Sequence, residues 1–353
     1  MNRALEGKRI LVTGGTGSLG QTLVRRILSG GLGTPEKVIV LSRDEAKQHE
    51  MRLSYKHARA ATDEIIYHNF EERLEFRIGD VRDLHSVTTA LQDVDIVFNA
   101  AALKQVPTCE YFPQEAVMTN ILGAENLIRA ITESRLPVET VVGVSTDKAC
   151  KPVNVMGMTK ALQERVFIQA NIRRPETRFV CVRYGNVLTS RGSVIPLFQA
   201  QIDSGGPVTI TTPEMTRFLL TLDEAVDTVF AALQHARRGE TYVPKVPSAT
   251  IIDVARALIG EKDIEMVYTG IRPGEKFHEI LISEEESYRT IEGPSGYYAL
   301  QPMLPELVDE EPTQRILTGE YSSANSVMER ERLVQYLSER LPYEAPSLAS
   351  PRS

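Results

Sequence analysis

The apolar positions of the first half of the chain follow two alternating patterns. Short runs rich in valine and isoleucine have the length of strands, and the stretches between them repeat their apolar residues with helical spacing. Buried strands are predicted at 9–13, 37–41, 74–78, 96–99, 140–144 and 179–183, and helices at 21–29, 86–92, 123–133 and 160–172. Strands that alternate with helices predict an α/β fold built on a doubly wound parallel sheet.

After residue 185 the pattern loosens into short apolar segments separated by prolines and glycines. Residues 1–185 are therefore predicted to form the first domain and residues 186–340 a smaller lobe. Helices are expected near 222–235 and 252–258, and the segment around 219–235 is a candidate for return to the first domain. The Pro/Ser-rich residues 341–353 are expected to be a disordered tail.

The composition narrows the class of protein. A chain of 353 residues with 42% hydrophobic and 25% charged residues is typical of a soluble globular protein. Its net charge of -7 argues against a nucleic-acid partner, and the lack of a long apolar run argues against membrane insertion. Three widely spaced cysteines and an N-terminus without an apolar signal core lead us to expect a cytoplasmic protein. The histidines show no metal-ligand spacing, so no metal is expected.

A glycine-rich loop joins the first strand to the first helix. The tight turn needs a positive φ, the pyrophosphate of a dinucleotide needs close backbone approach, and the helix must pack on the strand. Three glycines in this position therefore predict a dinucleotide-binding domain. The loop residues expected to contact the cofactor are Gly14, Thr16, Gly17, Ser18, Leu19 and Gly20.

The residues after the second strand bear on which dinucleotide is bound. An acidic residue there bonds the ribose 2′-hydroxyl of NAD, whereas an arginine accommodates the 2′-phosphate of NADP. Ser42 and Arg43, with Lys47 as a helper, favour NADP, while Asp44 keeps NAD as the less favoured reading. The groove is expected to continue past the adenine and over the fourth strand along Asp80, Val81, Ala100, Ala101 and Ala102.

Asp147 and Lys148 follow the strand predicted at 140–144. Active sites of open α/β sheets lie at the carboxyl ends of the strands, so both side chains should reach the crevice. An oxidised nicotinamide would lower the pKa of the lysine and favour a neutral base, and a buried aspartate can stay protonated as an acid. An acid and a base held together suit an elimination, although such a pair can also be a surface ion pair.

Four segments of the chain resemble the nucleotide-sugar dehydratase branch of the extended short-chain dehydrogenases/reductases. They are residues 101–110, 144–149, 156–160 and 183–196, and the resemblance covers roughly residues 8 to 340. Most members of that superfamily carry a proton-relaying tyrosine four residues before Lys160, where this chain has Met156. The same methionine occurs in the 5-inverting UDP-N-acetylglucosamine 4,6-dehydratases of bacterial capsule and O-antigen polysaccharide biosynthesis, which the chain resembles most.

This resemblance implies a Rossmann-type sheet with a C-terminal α/β substrate lobe, and a lyase that uses tightly bound NADP. The cofactor would take a hydride from carbon 4 and return it to carbon 6. Lys148 would remove the proton from carbon 5, Asp147 would protonate the leaving 6-hydroxyl, and Lys160 would hold the nicotinamide ribose. Because the thioether of Met156 cannot accept the 4-hydroxyl proton, we hypothesise that Thr146 and Lys160 accept it, directly or through an ordered water, with Lys148 as the alternative acceptor.

The resemblance also implies a UDP-sugar substrate and a homo-oligomer, either a hexamer or a dimer. An arginine grips a diphosphate with two parallel hydrogen bonds, and the segment 272–276 resembles an element that binds the diphosphate and the ribose. The residues assigned to the substrate are Lys104, Asn186, Arg191, Arg217, Arg272 and Glu275.

Three other functions stay open. A UDP-N-acetylglucosamine 5,6-dehydratase would use much the same groups, and the sequence separates it poorly. A 4-epimerase needs the same oxidation but should keep the tyrosine and has no need of Asp147 and Lys148. An NADP-sensing protein with a decayed relay would not be expected to retain Asp147, Lys148 and Lys160 together.

Overall fold

The computed structural model describes residues 3–57, 70, 72–188, 193–294, 296–308 and 316–341. Its central feature is a sheet of nine strands, in which β1 to β6 run parallel in the order β3-β2-β1-β4-β5-β6. β2 and β3 are added on one side of β1, and β4 to β6 on the other. The strand order therefore reverses between β1 and β4, which is where open α/β sheets bind their ligands. The predicted doubly wound α/β fold is confirmed. The six strands are β1 (Arg9–Thr13), β2 (Lys37–Ser42), β3 (Leu74–Ile78), β4 (Ile96–Asn99), β5 (Thr140–Val144) and β6 (Arg178–Val182).

The inner strands are almost wholly apolar because both faces of the sheet are covered. Alternate residues of β1 enter different cores: Leu11 faces one and Val12 the other. The prediction of a buried strand is wrong for β3, whose residues are partly exposed and whose Ile78 is 65% exposed. The reason is its position at the edge of the sheet, where packing from the rest of the fold ends.

Helices cover both faces of the sheet. The helix Val155–Arg173 begins five residues before the predicted 160, because the Asn154 side chain accepts a hydrogen bond from the Gly157 backbone and caps it. In chain order the helices are α1 (Ser18–Leu28), α2 (Glu45–His57), α3 (Leu84–Ala90), α4 (Val106–Tyr111), α5 (Pro113–Ala116), α6 (Gly123–Glu133), α7 (Val155–Arg173), α8 (Val194–Asp203), α9 (Leu222–His235), α10 (Ile251–Ile259), α11 (Glu284–Ser287) and α12 (Arg330–Arg340), with a π-helical turn (Val117–Leu122) before α6. Among these described helices, none is both long and apolar enough to cross a membrane.

The main sheet draws strands from both sides of residue 185. β9 (Thr241–Pro244) pairs parallel to β6, and β14 (Tyr297–Leu300) and β13 (Thr290–Glu292) follow it antiparallel. α9 packs against α1 and β6 in the same core. The predicted tail lies outside the described residues, apart from residue 341.

A separate apolar core forms the smaller lobe between α8, α10 and α12. Three short strand pairs complete it and connect it to the crevice. They are β7 (Val208–Ile210) with β11 (Met266–Tyr268), β8 (Thr216–Phe218) with β10 (Ser248–Thr250), and β12 (Ile280–Ile282) with β15 (Tyr321–Ser322).

Candidate active site

The glycine loop after β1 lies directly against the end of β4. Gly14 has a φ of +66°, and a Cβ atom there would lie 2.8 Å from Cα of Ala101. A Cβ on Gly20 would lie 2.5 Å from the Gly14 carbonyl oxygen, so α1 packs closely on the loop. Gly17 precedes α1 without a capping side chain, which leaves the first-turn N–H groups of Ser18 and Leu19 for an anion.

Side-chain contacts link the loops at the carboxyl ends of neighbouring strands. Thr16 Oγ1 and Ser42 Oγ lie 2.8 Å apart, and Arg43 Nη1 lies 3.7 Å from Asp80 Oδ2. Burial opposes ionisation of Asp80, but hydrogen bonds from Arg82 outweigh it and lower the pKa of the carboxyl. These contacts place the predicted cofactor residues along adjacent loops. The others are Val81, which is buried, and Ala100, Ala101 and Ala102, which are partly exposed.

The residues expected to distinguish NADP from NAD, Arg43 and Asp44, have different side-chain partners. The Asp44 carboxylate accepts hydrogen bonds from the Lys47 backbone at 3.0 Å and from its ammonium at 2.5 Å. Asp44 thus stands at the start of α2, and Lys47 is bound to it. The Arg43 side chain is 56% exposed, so its guanidinium is accessible to a ligand.

Asp147 and Lys148 lie in one 3₁₀ turn (Asp147–Ala149) after β5. The Asp147 side chain is fully buried, and its Oδ1 accepts hydrogen bonds from Thr146 Oγ1 at 2.8 Å and from Lys148 Nζ at 3.1 Å. Burial is the largest influence on this carboxyl and raises its pKa. A raised pKa is what a carboxylic acid needs in order to donate a proton near neutral pH.

The Lys148 ammonium has two further partners besides Asp147. It lies 3.2 Å from Glu279 Oε1 and donates to Asn186 Oδ1 at 3.0 Å. Burial acts to lower the pKa of Lys148, but the two carboxylates outweigh it and the pKa is raised. The protein's own charges therefore act against the lowering expected from an oxidised nicotinamide, and they hold the amine protonated.

The other lysine of the predicted site is buried in α7. Lys160 Nζ donates to the Val144 carbonyl at 2.5 Å and to the side-chain oxygen of Gln163. Burial lowers the pKa of Lys160 to about 8. A neutral amine is therefore accessible at Lys160 at mildly alkaline pH.

Met156 lies in an apolar pocket one helical turn before Lys160. Its side chain is 7% exposed and packs in a cluster with Cys109 and Ala116, with Leu103 and Val106 at the border. These neighbours offer apolar surface to the methionine. The surroundings of Met156 are thus suited to a thioether and not to a phenol that needs a hydrogen-bond partner.

The structure brings two of the proposed substrate residues to the Asp147–Lys148 pair. Asn186 contacts Lys148 directly, and the buried Arg217 places its Nε 3.8 Å from Glu279 Oε1. Arg217 also donates to the Thr216 carbonyl, so its guanidinium is fixed inside the site.

The remaining proposed substrate residues lie further out. Lys104 and Arg272 have exposed side chains, and Glu275 is partly buried. The loop of Arg272 and Glu275 is held at the start of α7, because Asn154 Nδ2 donates to the Gly274 carbonyl at 2.8 Å. Arg191 lies outside the described residues.

Sequence reasoning missed Glu279. It has no spacing relationship to Asp147 or Lys148, and the residue before it in the sequence is His278. The imidazole of His278 is hydrogen-bonded to Thr216 Oγ1 at 2.8 Å, whereas Glu279 turns into the site. A buried glutamate so far along the chain gives no signal before the fold is known.

A buried ion cluster ties α7 to the substrate lobe. Arg183 Nη2 donates to Glu164 Oε2 at 2.6 Å, and Arg183 Nη1 donates to Glu286 Oε2 at 2.8 Å. Ser145 Oγ donates to Glu164 as well, so the cluster reaches the residue before Thr146. The helix that carries Lys160 is thus fixed to α11.

Comparison with known proteins identifies the family. Residues 10–301 match the family described as polysaccharide biosynthesis protein. The chain belongs to this family. A curated relative from Rickettsia typhi, named UDP-glucose 4-epimerase, is 44% identical over 299 residues, which are 83% of this chain and 82% of that protein. A relative of the same name from Rickettsia conorii is 46% identical over 284 residues, or 79% of each chain.

Solved structures agree on the fold. Pen from Bacillus thuringiensis superposes with a TM-score of 0.83 at 33% identity, covering 95% of this chain and 98% of that one. DesIV, a dTDP-glucose 4,6-dehydratase from Streptomyces venezuelae, gives a TM-score of 0.65 at 21% identity over 94% and 97% of the two chains. The chain shares its fold with both of these solved structures, and the family model that matches it is that of polysaccharide biosynthesis proteins.

Proposed function

We propose that this enzyme is an NADP-dependent UDP-N-acetylglucosamine 4,6-dehydratase that inverts carbon 5. The observation that carries the proposal is the 3.1 Å contact between the Asp147 carboxylate and the Lys148 amine. An acid and a base in contact can eliminate water across two adjacent carbons. An apolar Met156, one helical turn before Lys160, is compatible with chemistry that relies on this pair.

The two side chains need one proton between them. Its transfer from Lys148 to Asp147 gives a neutral amine and a carboxylic acid, which are the base and the acid of the elimination. When bound, the nicotinamide supplies hydride acceptance at carbon 4 and hydride return at carbon 6. Lys148 then removes the carbon 5 proton, and Asp147 protonates the departing 6-hydroxyl. A proton delivered to the opposite face of carbon 5 gives the UDP-4-keto-6-deoxy-L-hexosamine.

The 4-hydroxyl proton needs a separate acceptor. Lys160 is the candidate, with Thr146 as its partner, because burial lowers the pKa of Lys160 to about 8. An amine with that pKa is neutral in an appreciable fraction of molecules near neutral pH. Lys160 also stands one turn from Met156, where the tyrosine of other superfamily members would be.

The residues of the groove fit a dinucleotide. The close approach of Gly14 to Ala101 leaves bare backbone at the start of α1, as a pyrophosphate requires. The exposed Arg43 can accept a 2′-phosphate, while the carboxylate of Asp44 is already engaged by Lys47. These contacts support NADP over NAD.

A 4-epimerase is the second candidate, because the curated relatives are named UDP-glucose 4-epimerase. Such an enzyme exchanges hydride at carbon 4 only and breaks no bond at carbons 5 and 6. It would leave Asp147 and Lys148 without a chemical task.

The test is to incubate the purified enzyme in deuterated water with UDP-N-acetylglucosamine or with UDP-glucose, and to follow the conversion of each sugar by NMR. Loss of the 6-hydroxyl with deuterium at carbon 5 of an L-configured ring supports the proposal. A 4-epimer without deuterium at carbon 5 supports the second candidate, and a 5,6-alkene supports a 5,6-dehydratase. Lys148→Met should abolish elimination, whereas Lys151→Met, a matched change at an exposed lysine paired with Glu320, should not.

A further inference from the structure

Glu279 is a buried acid within the site that has only part of its bonding capacity in use. Its side chain is almost completely inaccessible, and Oε1 lies 3.2 Å from Lys148 Nζ and 3.8 Å from Arg217 Nε. Oε2 is buried and has no hydrogen-bond partner among the described residues. Since burying an unpaired carboxylate oxygen is costly, a residue held in this state points to a role in the site.

Three chain segments fix the direction of this side chain. The Glu279 backbone N–H donates to Ser323 Oγ at 2.9 Å, and the Ser323 N–H donates to the Glu279 carbonyl at 2.8 Å. Ser323 Oγ is in turn 2.7 Å from Thr216 Oγ1, in the strand that carries Arg217. The backbone that carries Glu279 is therefore held by the segment of Ser323, and from this position its carboxylate contacts Lys148.

The charges around Lys148 come from all the elements packed against it. Asp147 and Lys148 share one turn, Arg217 comes from β8, and Glu279 comes from the segment before β12, where Lys276 acts on Glu279. If Lys148 lost its proton to solvent, two buried carboxylates would remain beside a neutral amine. If the proton moved to Asp147 instead, the total charge of the cluster would not change.

We propose that Glu279 is a positioning residue whose negative charge keeps the proton shared by Asp147 and Lys148 inside the site. This inference rests on the proposed function, in which that one proton prepares both the acid and the base. Glu279 favours the protonated state of either partner over release to water. It thereby sets the pH range in which the pair carries a single proton.

Glu279→Gln tests this, because it keeps the shape of the side chain and removes the charge. An opposite charge at this distance shifts a pKa by roughly one to three units, so both limbs of the bell-shaped pH profile of kcat/KM should move to lower pH by about one unit or more. A merely structural role would lower the melting temperature or kcat and leave the profile in place. Glu284→Gln, at an exposed site in α11, is the control and should leave the profile unchanged.

A second measurement needs no substrate. Competitive acetylation with trace acetic anhydride across a pH series, read by mass spectrometry, reports the apparent pKa of Lys148 itself. Glu279→Gln should lower that pKa by about one unit or more. If it does so while no UDP-sugar is turned over, the proposed function fails and the inference stands. If sugar is dehydrated normally and neither the pKa nor the profile moves, the inference is wrong.

Asn186→Asp supplies the reverse experiment, and it decides the matter if Glu279→Gln does not fold. It adds a carboxylate 3.0 Å from the Lys148 amine with little change of shape. The apparent pKa of Lys148 should rise by about one unit or more, and the double variant N186D/E279Q should return it towards the wild-type value. An unchanged pKa in Asn186→Asp would overturn the proposal.

Discussion

Asp147 Oδ1 lies 3.1 Å from Lys148 Nζ, although the carboxylate is fully buried and the lysine side chain is 21% exposed. Adjacent residues in a strand would point to opposite faces, and it is the 3₁₀ turn after β5 that brings these two side chains together. One partner is shielded from water while the other reaches the crevice. The pair can thus keep a proton internally and still meet a substrate.

Asp147→Asn should separate the two halves of the elimination. Asparagine keeps the shape but cannot donate a proton as an acid, so we expect dehydration to fall by about 10²–10⁴-fold. Lys148 remains, and without the neighbouring carboxylate charge it can lose its proton to solvent, so exchange of the carbon 5 proton should persist. The measurement is deuterium incorporation into UDP-N-acetylglucosamine alongside product formation. Equal loss of exchange and dehydration would contradict separate roles for the two residues.

Met156→Tyr tests the relay assigned to Thr146 and Lys160. The buried pocket leaves little room for a larger phenol, so we expect destabilisation by roughly 1–3 kcal/mol. Met158→Tyr is the matched control, because Met158 is exposed on the same helix and should change stability little. Thermal unfolding and the pH profile of turnover check both variants. A higher turnover in Met156→Tyr without a shifted profile would argue against the relay.

Lys160 should make stability depend on pH in a defined window. The pKa of Lys160 is about 8 in the folded protein, against its ordinary value of 10.5, so the unfolded chain binds more protons between these values. The free energy of unfolding should therefore rise with pH across this window, by about 3 kcal/mol from this group. Urea unfolding of the cofactor-free wild type and of Lys160→Met, at pH 7.5 and pH 10, measures the difference. Identical pH dependence in both proteins would show that Lys160 is not responsible.

Arg43→Ala should weaken NADP binding and leave NAD binding nearly unchanged. The loss of a charged hydrogen bond to the 2′-phosphate corresponds to roughly 10- to 100-fold in Kd. Asp44→Ala is the companion variant, because it would weaken NAD binding if Asp44 held the ribose. Titration calorimetry with both dinucleotides distinguishes these outcomes. Equal losses for NADP and NAD in Arg43→Ala would mean that Arg43 does not read the 2′-phosphate.

The local pattern of apolar residues was sufficient to predict much of the fold. The runs of β1, β4 and β5 have their predicted bounds, because β-branched residues buried on both faces leave a continuous apolar signal. The exposure of β3 could not be predicted, since an edge is defined by which strands pair and not by one strand's composition. The early start of α7 depends on the cap at Asn154, which is a polar side-chain contact and not part of the apolar pattern.

In the candidate site, too, contacts between sequence neighbours could be predicted, whereas contacts between distant parts of the chain could not. Asp147 and Lys148 are neighbours in sequence, so their contact could be expected from the strand that precedes them. Glu279 reaches the Lys148 ammonium, and Arg217 reaches Glu279, only because β8, β12 and β15 converge there. Interactions of this kind depend on long-range pairing, which no short motif records.

The central sheet contains strands from both sides of residue 185, and this limits how such enzymes can be altered. A polypeptide that ended at residue 185 would lack β9, so the edge of β6 would be unpaired. It would also lack α9, so the face of α1 that packs against α9 would be exposed. An open strand edge is a template for aggregation. The cofactor half is therefore not a transplantable module. Exchange of substrate preference between relatives has to proceed loop by loop, within a single folding unit.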